Sequence, residues 1–156
     1  MKLTHIDEKG RPCMVDVSAK PVTERTARAV GEVELSSKAL ELIASNKVPK
    51  GEVLNTASLA GIQAAKRAFE WIPLCHPLRL TYVDVELSLV PEEGVVRAVS
   101  TVKAADRTGA EMEALTAVAA ACLTVYDMCK AVDKRILIGN IHLLSKKGGR
   151  SGEFTW

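Results

Sequence analysis

Residues 83–102 read Val-Asp-Val-Glu-Leu-Ser-Leu-Val-Pro-Glu-Glu-Gly-Val-Val-Arg-Ala-Val-Ser-Thr-Val, and their alternation decides the fold. Val83, Val85, Leu87 and Leu89 stand on one parity, with Asp84, Glu86 and Ser88 on the other. That is the pattern of a strand with one buried face. Pro91-Glu92-Glu93-Gly94 is turn chemistry, proline presetting φ and glycine tolerating the left-handed region. Val96, Ala98, Ser100 and Val102 then return with the opposite parity, so the two runs form an antiparallel hairpin.

Upstream, Ala27, Ala29, Val33 and Leu35 alternate with polar residues, predicting a first strand over 26–35. Residues 36–46 carry Leu40 and Ile43 on one face of a short helix. After the basic loop Lys47-Val48-Pro49-Lys50-Gly51, small residues at helical spacing (Ala57, Gly61, Ala64, Ala68) predict a second helix over 53–72, ended by Pro73. Downstream of the hairpin, Thr108-x-x-Glu111 has the form of a capping box and opens a long helix to about Lys130. A last strand over 136–144 is apolar on both faces, which predicts burial within the sheet or at a subunit contact. The order is that of an α+β, ferredoxin-like βαββαβ sandwich with an additional helix and an N-terminal extension. The first dozen residues are polar and expected to be loose. Such a fold assigns no function by itself.

With 156 residues the chain is expected to form a single domain around one core, and 47% hydrophobic with 26% charged residues excludes disorder. Aromatics are 4%, so Ala, Val, Leu and Ile must fill that core. A net charge of +2 is too small for wrapping nucleic acid, and any basic site is local. The start carries charges throughout, unlike a secretory signal. The most apolar stretch, 114–126, is 13 residues long, short of the roughly 20 that span a bilayer. Cys13, Cys75, Cys122 and Cys129 show no C-x-x-C pairing and read as free thiols of a reduced cytosol; a zinc site of Cys75, His76 and Cys129 is the weaker alternative. The expectation is a soluble cytoplasmic protein with neither nucleic-acid nor membrane partners.

Three clusters carry chemistry. Lys50 stands just ahead of a helix start, where a lysine beside free N–H groups makes an anion site; a solvated loop would look the same. Pro73-Leu74-Cys75-His76-Pro77 is held extended by its prolines, exposing backbone groups to a heterocycle edge, with His76 titrating near neutrality; a rigid connector is the alternative. The long helix has Glu111, Met112 and Glu113 at one end, Asp127 and Lys130 at the other. Asp127 faces the negative end of its own helix dipole, which should raise its pKa, and Lys130 lies three residues on. That couple suits proton transfer on a small anionic substrate. Glu113 and Asp127 are about 21 Å apart along an ideal helix, so if both act in one site, two subunits share it. The basic, glycine-rich stretch 146–152 suits a phosphate or a frayed tail, and it matches no Walker motif.

These segments resemble the cyclic pyranopterin monophosphate synthases, the C protein of molybdenum cofactor biosynthesis. The resemblance rests on MVDVSAK at 14–20, KGEV at 50–53, AGIQAAKR at 60–67, IPLCHPL at 72–78, GAEMEALTA at 109–117, LTVYDMCKAV at 123–132 and LLSKKGGRSGEF at 143–154. It implies conversion of 3′,8-cyclo-7,8-dihydroguanosine 5′-triphosphate to cyclic pyranopterin monophosphate with release of pyrophosphate. Asp127 is then the acid–base residue with Lys50 and Lys130 as basic partners. Leu74, Cys75, His76, Met112 and Glu113 bind substrate with Glu111 nearby, and Arg25 and Lys146 are candidates for the triphosphate. The resemblance also implies homohexamers, trimers of dimers, with the site at the dimer interface. No protein-held cofactor or metal is implied, although a divalent cation could accompany the triphosphate. Were Lys50 and Asp127 to come from different subunits, inactive variants of each would rescue one another when mixed. Two rival readings remain at this point: an effector-binding regulatory domain, which has no need of the Asp127–Lys130 couple, and an RNA-binding domain, which would need exposed strand aromatics where the hairpin offers mainly Tyr82.

Overall fold

The structure, a computed structural model, describes residues 5–7, 9–149 and 152–156. Its elements run β1 (Thr23–Glu34), α1 (Ser37–Ala44), α2 (Val53–Ala65), α3 (Ala68–Trp71), β2 (Leu80–Val90), β3 (Val95–Asp106), α4 (Glu111–Cys129), β4 (Leu137–Lys147) and β5 (Phe154–Thr155). The sheet order is β2-β3-β1-β4-β5, antiparallel at every pairing. This is the ferredoxin-like α+β sandwich, extended by β5 at one edge. Val83 pairs with Val102, Leu87 with Ala98 and Val90 with Val95, so the hairpin closes where the alternation changes parity.

α2 and α4 cover one face of the sheet. Val33, Val85, Val96, Ala98 and Val102 meet Ala114, Ala117, Val118, Ala121 and Val125 in a core built from small side chains. Small side chains bury little area each, so the layers must approach closely to exclude water. Gly61 marks that approach: a Cβ there would stand 2.9 Å from the Ala117 carbonyl and 3.1 Å from the Val85 methyls. α4 is long and apolar enough by composition to cross a membrane. Its Ala114, Ala117, Val118, Ala121, Cys122 and Val125 are instead packed in this core.

Three local expectations are corrected. The helix expected over 53–72 breaks after Ala65, where Arg67 N–H bonds back to the Ala64 carbonyl and the chain restarts as α3. The break buries Ala68 and leaves Phe69 and Trp71 exposed. No capping box opens α4: Ala110 is the cap residue, without a side-chain bond. Glu111 is the first helical residue, two positions too early to reach back, and its carboxylate pairs with Lys146 instead. β4 is not buried within the sheet, since Leu137 is 55% and Ile141 40% exposed. Its apolar residues are only partly covered within the single chain.

Candidate active site

α4 carries two separate groups of side chains, one at each end. At its C-terminal end Asp127 is held between Lys50 Nζ at 2.6 Å and Lys130 Nζ at 2.7 Å, each ammonium donating to a different carboxylate oxygen. Lys50 arrives from the loop before α2. The sequence reading had Lys50 and the free N–H groups of that helix together forming an anion site, but the Glu52 carboxylate accepts from Leu54 and Asn55 N–H and caps α2 itself. Lys50 turns to Asp127.

The expected rise in the Asp127 pKa is overturned. Hydrogen bonds from Lys130 and Lys50 hold its carboxyl down at about 2, and Asp127 in turn raises Lys130. Two ammonium contacts outweigh the fractional charge of a helix end. At neutral pH Asp127 is a fixed carboxylate that positions two cations.

At the other end of α4, Leu74, Cys75, His76, Glu111, Met112 and Glu113 line one cavity of about 340 Å³. Its remaining wall includes Val15, Val17 and Lys20 from the segment before β1. His76 Nε2 lies 2.9 Å from the Val15 carbonyl and ties that segment down. Glu113 is 4% exposed. Burial, with smaller pushes from the Glu111 and Asp106 charges, raises its carboxyl to about 7, against an opposing bond from its own backbone N–H. Glu113 therefore has the neutral-range proton affinity that the sequence reading had sought in Asp127. Burial and the same two glutamates, Glu113 and Glu111, keep Cys75 a protonated thiol.

A second cavity of about 510 Å³ adjoins the first and shares Lys20, Thr108 and Gly109 with it. Arg25 and Gly149 are in its lining. The Arg25 guanidinium donates to the carbonyls of Gly148 at 3.1 Å and Arg107 at 3.3 Å. Gly149, at φ +78°, lies so close that a Cβ would collide with that guanidinium. The glycines thus bring the backbone against Arg25. Lys146 reaches the first cavity through its 3.0 Å ion pair with Glu111. Arg150 and Ser151 of the basic tail lie outside the described residues. Among the described residues no three His, Cys, Asp or Glu side chains cluster as metal ligands, and Cys129 of the zinc alternative is fully buried.

The structure therefore gathers eight of the candidates (Leu74, Cys75, His76, Glu111, Met112, Glu113, Arg25, Lys146) around two joined cavities, and three (Lys50, Asp127, Lys130) into a clamp. Within one chain α4 holds Asp127 about 21 Å from Glu113. Lys20 and Arg107 were not singled out from sequence: Lys20 only closes the MVDVSAK stretch of the resemblance, and Arg107 lies outside every stretch quoted for it.

The family model described as MoaC family matches residues 14–149. The chain belongs to the MoaC family. Among curated relatives, the cyclic pyranopterin monophosphate synthase of Parvibaculum lavamentivorans is 55% identical over 153 residues, covering 98% of this chain and 96% of its own length. That of Clostridium perfringens strain SM101 is 52% identical over 155 residues, covering 99% and 98%. The Roseiflexus protein of the same name is 55% identical over 153 residues, covering 98% and 97%. At such identity and coverage this MoaC-family chain is an enzyme. The matched range contains the clamp and every residue named around the two cavities.

Proposed function

We propose that this enzyme converts 3′,8-cyclo-7,8-dihydroguanosine 5′-triphosphate to cyclic pyranopterin monophosphate, releasing pyrophosphate, in molybdenum cofactor biosynthesis. The observation that carries the reading is a near-neutral buried carboxyl, Glu113, in a cavity that adjoins a cationic one. A nucleotide needs both: a pocket for the heterocycle and positive charge for its phosphates. The names of the relatives support the same reaction.

The heterocycle lies against Leu74, Cys75, His76 and Met112, with Glu113 exchanging protons at its ring atoms as the imidazole ring opens and the pyrazine forms. Glu111 holds Lys146 at the cavity edge. Lys50 and Lys130, kept in place by Asp127, deliver charge and protons where the cyclic phosphate closes and pyrophosphate leaves. Arg25 contributes to the triphosphate side. The clamp reaches this cavity from a second subunit, because its own α4 holds it a helix length away. Exposed Leu123 and Tyr126 beside the clamp, with Leu137 and Ile141 on β4, supply apolar surface for such contacts. The assembly is a hexamer, a trimer of dimers, working in the cytoplasm without nucleic acid or membrane. The protein holds no cofactor of its own, and any divalent cation enters with the triphosphate.

The test is direct. Purified protein is incubated with the cyclised dihydro-GTP, and pyrophosphate and the fluorescent oxidised pterin are measured. Formation of both supports the reading; a folded protein that forms neither refutes it.

A further inference from the structure

The imidazole of His76 is part of the wall of the first cavity, and a distant stretch of chain decides which of its nitrogens can act there. His76 Nε2 lies 2.9 Å from the backbone carbonyl of Val15, 61 positions upstream. A carbonyl oxygen only accepts, so the ring donates from Nε2. In a neutral imidazole a proton held at Nε2 leaves Nδ1 bare, as an acceptor. The contact with Val15 therefore sets a chemical property of the cavity as well as the path of the segment before β1.

That segment is braced on both sides of Val15. Its start, whose polar sequence predicts a loose chain, is folded back on itself: Cys13 N–H donates to the His5 carbonyl at 3.0 Å, and Asp7 N–H to the Arg11 carbonyl at 2.9 Å. The Asp7 carboxylate accepts from Lys9 N–H, Arg11 N–H and the Arg11 guanidinium, which closes the turn. Beyond Val15, the Asp16 carboxylate accepts from Ser18 N–H at 2.9 Å, and the Lys20 carbonyl accepts from Arg107 Nε at 3.0 Å. A carbonyl held by such ties stays in place, whereas one on a loose chain would leave the ring free to exchange tautomers. The ionisable groups that share this wall with His76 are His5, Lys20, Cys75, Glu111 and Glu113, and Asp16 lies close to the ring. Glu111 is taken by Lys146 and Asp16 by Ser18, so neither carboxylate claims the imidazole. Among the described residues the ring bonds to Val15 alone.

We infer that the Val15 carbonyl is a positioning group of the site: it holds His76 as the Nε2–H tautomer and so makes Nδ1 the acceptor for an N–H on the edge of the heterocycle. The lactam and amidine N–H groups of a guanine-derived ring are donors of that kind. That the ring is guanine-derived rests on the reaction proposed above; the tautomer rests on the Val15 contact.

The direct measurement is long-range nitrogen–proton NMR on the full chain carrying isotope-labelled histidine, at about pH 8, above the ordinary imidazole range. His76→Gln assigns the signals. A protonated Nε2 beside a bare Nδ1 is expected, with the Nε2 proton protected from exchange. A proton on Nδ1, alone or together with Nε2, overturns the inference. An α-hydroxy acid at position 16 turns the Val15–Asp16 amide into an ester and weakens its carbonyl as an acceptor. Compared with the amide bearing the same side chain, it should speed exchange of the Nε2 proton and lower kcat/KM about three- to tenfold, with the melt unmoved. Unchanged exchange and unchanged kcat/KM overturn the inference. Turnover also separates positioning from mere tethering. An asparagine amide falls near the Nδ1 position and a glutamine amide near Nε2, so His76→Asn should retain at least about tenfold more kcat/KM than His76→Gln. Equal losses would reduce the contact to a tie and refute the role given to Nδ1. The Nε2–H tautomer in a folded chain that leaves the cyclised triphosphate unconverted would sink the proposed reaction and keep the tautomer. Turnover by a chain with a proton on Nδ1 would do the reverse.

Discussion

Replacing Glu113 by glutamine tests the acid–base assignment at its physical root. The side chain is 4% exposed, and its carboxyl is pushed from 4.5 to about 7, chiefly by burial. At about 1.4 kcal/mol per tenfold change in proton affinity, the ionised form costs about 3 kcal/mol more in the folded chain than in the unfolded one. The sign follows from which state loses its proton first. Below about pH 4.5 both states are protonated and nothing is lost. Between that pH and about 7 the unfolded chain ionises first, so stability falls as pH rises, and above 7 the full cost is present. Glu113→Gln keeps the shape and removes the titration. Relative to the parent it should gain about 3 kcal/mol between pH 4 and pH 8. For a domain of this size that widens the gap in melting temperature by about 6–12 °C. Thermal melts of both proteins across that range, at one protomer concentration, measure it. A gap that stays constant with pH would refute the assignment, whatever its size.

Asp127→Asn should abolish most turnover, by at least about a hundredfold, because Lys50 and Lys130 lose the charge that fixes them; the pterin fluorescence assay reads this. Its thermal melt at neutral pH should hardly move, the clamp being no part of the packed core of its own chain, and a collapse of the melt would recast Asp127 as structural. Mixed subunits give a sharper test. Lys50 and Asp127 touch within one chain, so Lys50→Ala and Asp127→Ala proteins should not rescue one another, contrary to what separate subunits would allow. Glu113→Ala mixed with Asp127→Ala should recover up to about a quarter of parental activity, from the sites where both intact halves meet. No recovery after verified subunit exchange would place the whole site in one chain. Gly61→Ala should lower the midpoint of urea unfolding: helix propensity favours alanine by about 1 kcal/mol, but the clash with the Ala117 carbonyl costs about 1–3 kcal/mol. A raised midpoint would mean that α2 has room above α4.

Much of the fold was legible because it depends on patterns of short range. Alternation over 83–102 predicted the β2–β3 hairpin and its turn, since a strand exposes its two faces on alternate residues. Small residues at helical spacing (Ala57, Gly61, Ala64) marked the packed face of α2 for the same kind of reason. Legibility failed at boundaries. Nothing in Lys66-Arg67 announces a break between α2 and α3, and the apparent capping box at Thr108 lost Glu111 to Lys146, 35 positions away. A local motif is only a proposal to the backbone, and a partner brought in by the fold can outbid it.

The sequence by itself determined the strand and helix order, the family resemblance and the residue types that the two cavities and the clamp require. Which carboxyl could exchange protons near neutrality was settled by tertiary structure. Ionisation depends on burial and on charges a few ångströms away, and those are set by chain segments far apart in sequence. Asp127 met two ammonium groups, one of them 77 positions distant, and was fixed as an anion. Glu113 lay buried near Glu111 and Asp106 and was left able to titrate. Lys20 and Arg107, 87 positions apart, became neighbours for the same reason.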